Sequence, residues 1–170
     1  MDKKIIEDYY NLVEETCVNS SWEALYYGLI EEVGELAGIF KRHYRGDENR
    51  QLELPEVREK MIKELGDICW YLFAINEYYG MYHPMGELAF SKLPKECHYC
   101  IEDLLKNILT FPDYKSETNI ISDVFAMSAR CLVGIAQEYS ISVEGILTAN
   151  IQKLTSRKER NVLMGEGDDR

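Results

Sequence analysis

The chain has 170 residues, 46% hydrophobic and 29% charged, which argues against a disordered segment and fits one globular domain able to bury its own core. Its net charge of −11 sets the surface against nucleic-acid backbone and anionic lipid, so neither nucleic acid nor membrane is expected as a partner. That acidity leaves room for a small polyphosphate held through metal ions, although solubility alone also explains it.

With only four prolines and long helix-spaced apolar runs, the sequence predicts an all-α fold, a helical bundle of about five to six helices. A first helix is expected over 2–17, with Ile5, Tyr9, Leu12, Val13 and Cys17 on its apolar face. Asn19-Ser20-Ser21 breaks it, and Ser20 with Glu23 matches a capping box that opens a second helix running to about residue 42. Trp22, Leu25, Tyr26, Leu29, Val33, Leu36 and Phe40 form the apolar face of that helix. A polar loop punctuated by Gly46 and Pro55 follows, and its Arg45-Gly46-Asp47 triplet reads as coincidence.

The third helix is expected over 56–79, burying Met61, Leu65, Ile68, Leu72, Phe73 and Ile75. Gly80, Pro84, Gly86 and Pro94 mark an irregular connection, then helices near 98–110 and 118–139 are separated by Pro112. Ser142 caps a last helix to about residue 158, and 159–170 reads as a loop-like tail of the single domain 1–170. The five cysteines, odd in number and without scaffold spacing, together with an N-terminus that leads into an amphipathic helix, point to a reducing cytoplasm. No apolar run approaches the roughly 18 residues of a membrane span.

Two segments concentrate carboxylates. Glu31-Glu32-Val33-Gly34-Glu35 lies in the second helix and Glu64-Leu65-Gly66-Asp67 in the third. At about 100° per residue, Gly28, Glu32, Glu35 and Ile39 make one stripe, with Glu32 at the border of the apolar arc and Glu31 turned further toward solvent. Glu64, Asp67 and Tyr71 make a similar stripe. If the two helices pack antiparallel, Glu32 and Glu35 face Glu64 and Asp67. Such a group repels itself unless a divalent cation joins it. An all-oxygen set without histidine or thiolate suits Mg²⁺, with Mn²⁺ as a substitute. Gly28 and Gly34 leave space beside the helix for a ligand. Each segment alone also fits a solvated acidic face. Of the three histidines, none follows a glutamate by three, which removes the di-iron carboxylate bundle.

On the last helix Asn150, Lys153 and Arg157 form a stripe that would hold phosphate oxygens, or else a basic end favoured by the helix dipole. Tyr71, one turn after Asp67, is a candidate for sugar or base contact. Trp22 and Tyr26 offer stacking surfaces, with core packing as the plainer role. Cys97-His98-Tyr99-Cys100 lacks the second ligand pair that zinc needs and reads as free thiols at a helix start.

The stretch 28–38, with Glu31-Glu32-Val33-Gly34-Glu35, resembles the first motif of the MazG-like all-α nucleoside triphosphate pyrophosphohydrolases, Glu-Glu-x-x-Glu. Glu64-Leu65-Gly66-Asp67 resembles their second, Glu-x-x-Asp, while Asn150-Ile151-Gln152-Lys153-Leu154 with Arg157 and the final Gly165-Glu166-Gly167-Asp168-Asp169-Arg170 look like the family's closing helix and tail. The resemblance covers about residues 20–80 and 130–170; 81–129 is extra helical material between the third and closing helices. It implies Mg²⁺ on Glu32, Glu35, Glu64 and Asp67. It also implies a homodimer or homotetramer, and hydrolysis of a nucleoside or deoxynucleoside triphosphate to monophosphate and pyrophosphate in nucleotide-pool house-cleaning. Metal ions would bridge the triphosphate and acidify the attacking water, with Glu31 or Glu35 orienting it or taking its proton. The alternative is a non-catalytic helical module for metal or nucleotide binding, or for oligomerisation.

Overall fold

The computed structural model describes residues 2–17, 20–81, 100–111 and 118–163, and every regular element among them is helical. The order is α1 (Lys3–Thr16), α2 (Trp22–Tyr44), a 3-10 turn (Glu48–Arg50), α3 (Pro55–Tyr78), α4 (Ile101–Leu109), α5 (Thr118–Glu138) and α6 (Val143–Glu159). His83, Pro84, Gly86, Pro94, Cys97, His98, Pro112 and the 165–170 tail lie outside the described residues. No helix among the described residues is long and apolar enough to cross a membrane.

Local chemistry explains the starts. Asp2 caps α1 by accepting from Lys4 N, and Ser142 caps α6 by accepting from Gly145 N. The cap of α2 is Ser21, not Ser20: its hydroxyl accepts from Ala24 N at 3.2 Å, so the expected box with Glu23 is out of register by one residue. Pro55 occupies the first turn of α3, where no amide hydrogen is missed. The fourth helix begins at Ile101, with Cys100 as its cap and the Cys100 thiol 3.0 Å from Asp103 Oδ2.

The helix ends share one device. Beyond α2, Gly46 takes φ +84° and Asp47 N reaches back to Arg42 O; beyond α3, Gly80 takes φ +65° and Met81 N reaches Asn76 O. Ser140 and Asn161 hold the same left-handed position after α5 and α6. Arg58 of α3 secures the α5 end by donating to the carbonyls of Tyr139 and Ser140 at 2.7 and 3.1 Å.

Helix α3 is the hub. It packs most extensively on α2, then on α6, with α1 and α5 against it as well. Pairs along α2 and α3 run in opposite directions, Trp22 beside Tyr78, Gly28 beside Tyr71 and Glu35 beside Glu64, so the expected antiparallel packing is present. Met61, Leu65, Ile68, Leu72, Phe73 and Ile75 are all buried, as their spacing predicts. On α1 the buried face is Ile6, Tyr9, Tyr10, Leu12 and Val13, leaving Ile5 and Cys17 at its margin. Tyr9 and Tyr10 flank Phe73 edge-on at 4.9 and 4.6 Å, an arrangement aromatic quadrupoles favour.

Candidate metal centre

Glu32 and Glu35 stand one turn apart on α2, and the antiparallel α3 brings Glu64 opposite them. One carboxylate oxygen from each of the three lies within 4.8 Å of the others. Their settings differ: Glu64 is buried, Glu32 is half-buried and Glu35 is exposed. Glu32 therefore meets the apolar border its helical position predicts. Burial pushes its carboxyl up to about 8, and the neighbouring charges of Asp67, Glu35 and Glu64 push in the same direction, with Lys153 opposing them. Near neutrality this carboxyl holds a proton because burial and the three neighbouring carboxylates outweigh Lys153.

Asp67 stands beside this trio but faces α6. It accepts from Asn150 Nδ2 at 2.9 Å and pairs with the Lys153 ammonium. Asn150 is fixed in turn by Tyr9 of α1, whose buried hydroxyl lies 2.7 Å from Asn150 Oδ1 and 3.0 Å from the Gly66 carbonyl. A Cβ at Gly66 would sit about 3.0 Å from the Asn150 side chain, so the glycine lets α6 lie closer to α3 than an alanine would without a shift of Asn150. Burial raises the Tyr9 phenol well above its ordinary value, and Cys69 and Asp67 add to the effect, which keeps it a neutral hydroxyl. Two members of the expected phosphate-holding stripe, Asn150 and Lys153, thus direct donors at Asp67. The third, Arg157, is buried at 5% exposure rather than forming a solvated basic turn.

A cleft of about 380 Å³ opens on the solvent side of the trio, lined by Glu31, Gly34, Glu35, Gly38, Arg42 and Glu64. Gly34 faces open space, whereas the space expected beside Gly28 is filled. The Tyr71 ring lies where a Cβ at residue 28 would be, because the close α2–α3 approach uses that vacancy for packing. Tyr71 is half-buried and meets Trp70 edge-on at 4.9 Å. Trp22, 7% exposed, stacks on Tyr26 at 5.5 Å and meets Tyr79 and Phe111, which is core packing. Cys17, Cys69, Cys100 and Cys131 are free thiols.

Spacing alone passed over Arg42 and Tyr9. Arg42 reads as an ordinary basic residue at a helix end, and Tyr9 as one more apolar-face aromatic; only the 141-residue separation of Tyr9 and Asn150, closed in space, shows its polar role. Comparison with protein-family models, with curated proteins and with solved structures gives no match for this chain.

Proposed function

We propose that this chain is a MazG-like, Mg²⁺-dependent hydrolase that cleaves a nucleoside or deoxynucleoside triphosphate to the monophosphate and pyrophosphate, in nucleotide-pool house-cleaning. The observation that carries the reading is the meeting of Glu32, Glu35 and Glu64 within 4.8 Å, at positions where the sequence resembles that family's two acidic motifs. The donor set fits a hard divalent cation: all oxygen, drawn from two helices, with burial and like charges raising the Glu32 carboxyl. Glu32, Glu35 and Glu64 would hold the cation, with Asp67 joining from the α6 side. A bound Mg²⁺ supplies charge neutralisation for the phosphates and a more acidic water.

The chain's own groups divide the remaining work. Glu31 and Glu35, both on the open cleft, are placed to orient a water and accept its proton as its oxygen attacks the α-phosphorus and the bond to the β-phosphate oxygen breaks. Asn150 and Lys153 set the direction of the Asp67 carboxylate, and Tyr9 sets Asn150. Tyr71 and Arg157 remain candidates for substrate contact at the margins. A homodimer or homotetramer belongs to the same proposal; exposed Leu105, Leu109 and Met127 are apolar side chains that a second copy would cover.

Incubation with a panel of nucleotides and Mg²⁺, followed by product separation, tests the reading. Monophosphate plus pyrophosphate is expected. Diphosphate plus orthophosphate would move the cleavage site, and tight binding without turnover would favour a non-catalytic binding module.

A further inference from the structure

The cleft beside the carboxylates contains one cation. Arg42 lies on α2 seven residues after Glu35, roughly 10 Å further along the axis. Its guanidinium folds back over Gly38: Nη1 stands 3.5 Å and Nη2 3.8 Å from where a Cβ at that residue would be. This is the direction in which long helical side chains lean, back along the helix toward Gly34 and Glu35. Every other charged residue lining the cleft is a carboxylate: Glu31, Glu35 and Glu64. Among the described residues Arg42 makes no ion pair, although Arg45 one turn away is forked onto Asp47. A half-buried guanidinium that feels Asp47 only at a distance and has no ion-pair contact among the described residues, at the rim of an acidic cleft, is suited to an oxyanion brought in from solution.

We propose that Arg42 binds the phosphate chain of the substrate, gripping the oxygens of the two phosphoryl groups that leave as pyrophosphate. The inference rests on the hydrolase reading above and adds to it the orientation of the substrate. The reacting phosphorus lies at the carboxylates, the leaving end runs over Gly38 toward Arg42, and the nucleoside points the other way along α2. A planar fork of donors matches phosphate oxygens in pairs, which an ammonium does not. The bare backbone at Gly34 leaves the floor of the cleft open for such a chain.

The test uses the intact chain and its Arg42→Ala and Arg42→Lys variants, with circular dichroism as a check on folding. Mn²⁺ alone is titrated by electron paramagnetic resonance, and inorganic pyrophosphate with Mg²⁺ by calorimetry. Arg42→Ala is expected to bind Mn²⁺ within about twofold of the parent and pyrophosphate about tenfold or more weakly, with Arg42→Lys recovering part of the loss. Equal pyrophosphate affinity in parent and Arg42→Ala, alongside normal Mn²⁺ binding, overturns the assignment of Arg42 and leaves the metal centre standing. Arg42-dependent pyrophosphate binding by a parent that takes up no Mn²⁺ overturns the metal centre and keeps Arg42. A parent that binds neither overturns both. Should the alanine variant be unfolded, undiminished affinity in Arg42→Lys overturns the bidentate grip.

Discussion

Neutralising Glu32 should stabilise the metal-free protein at alkaline pH and do nothing at mildly acid pH. The native carboxyl titrates near 8 against an ordinary 4.5, so between those values the folded state holds a proton that the unfolded chain has released. Stability attributable to this group is therefore full below about 4.5 and declines as pH rises toward 8, the reverse of an ion-paired carboxylate. At about 1.4 kcal/mol per pH unit the gap amounts to nearly 5 kcal/mol at full strength. Glu32 is only half-buried, and solvent screening brings the expected effect to about 2 kcal/mol. Glutamine mimics the protonated form, so Glu32→Gln should match the parent near pH 5 and exceed it by about 2 kcal/mol at pH 9. Urea denaturation in EDTA at pH 5, 7 and 9 measures this. A parent whose midpoint is flat or rises across that range, or a variant that follows the parent at pH 9, would refute the electrostatic account of the cluster.

Excess Mg²⁺ or Mn²⁺ should reverse the alkaline loss in the parent, adding about 2.7 kcal/mol at a hundredfold excess over Kd, and should leave Glu32→Gln nearly unchanged; thermal melts with and without EDTA read this. Gly28→Ala should destabilise by about 1–3 kcal/mol, because its methyl enters the Tyr71 ring, whereas Gly34→Ala faces open space and should stabilise α2 by up to about 1 kcal/mol. Denaturant midpoints that rank the two the other way would contradict the packing described. Tyr9→Phe removes the donor that fixes Asn150 and should cost about 1–3 kcal/mol, with a further drop in turnover once Asp67 loses its direction. Unchanged stability and unchanged turnover together would take Tyr9 out of the network.

Helical periodicity was enough to read α2 and α3, because both bury one face against a neighbour and their apolar residues recur on it. The same geometry made the meeting of Glu32, Glu35 and Glu64 legible, since Glu32 and Glu35 share one stripe of α2 and the antiparallel α3 carries Glu64 on a matching one. Register at the cap was less legible: adjacent serines offer two hydroxyls, and only backbone torsion decides that Ser21 is the one bonded to Ala24 N. Long-range partners were not legible at all. Nothing local in Asn150 or Lys153 distinguishes a donor for phosphate from a donor for Asp67, a residue 83 and 86 positions away. The left-handed Ser140 was equally hidden, because a serine carries no signal of positive φ comparable to that of a glycine.

The glycines show how packing leaves the cleft on one face and not elsewhere. Gly28 and Gly66 lie at the two close approaches to α3, one from α2 and one from α6, and a side chain fills each vacancy: the Tyr71 ring at residue 28 and the Asn150 amide at residue 66. Gly34 sits six residues from Gly28 on α2, on the side turned from those contacts, and nothing comes within 4 Å of the space a Cβ would take. A glycine in a helix is destabilising by roughly 1 kcal/mol relative to alanine. At 28 and 66 tighter packing offsets that cost. At Gly34 nothing packs within 4 Å of the Cβ position, and the residue lines the cleft instead. Measuring Gly34→Ala for both stability and nucleotide turnover separates the cases. Gain in the first with loss in the second is expected, and gain in both would mean that the residue serves no ligand.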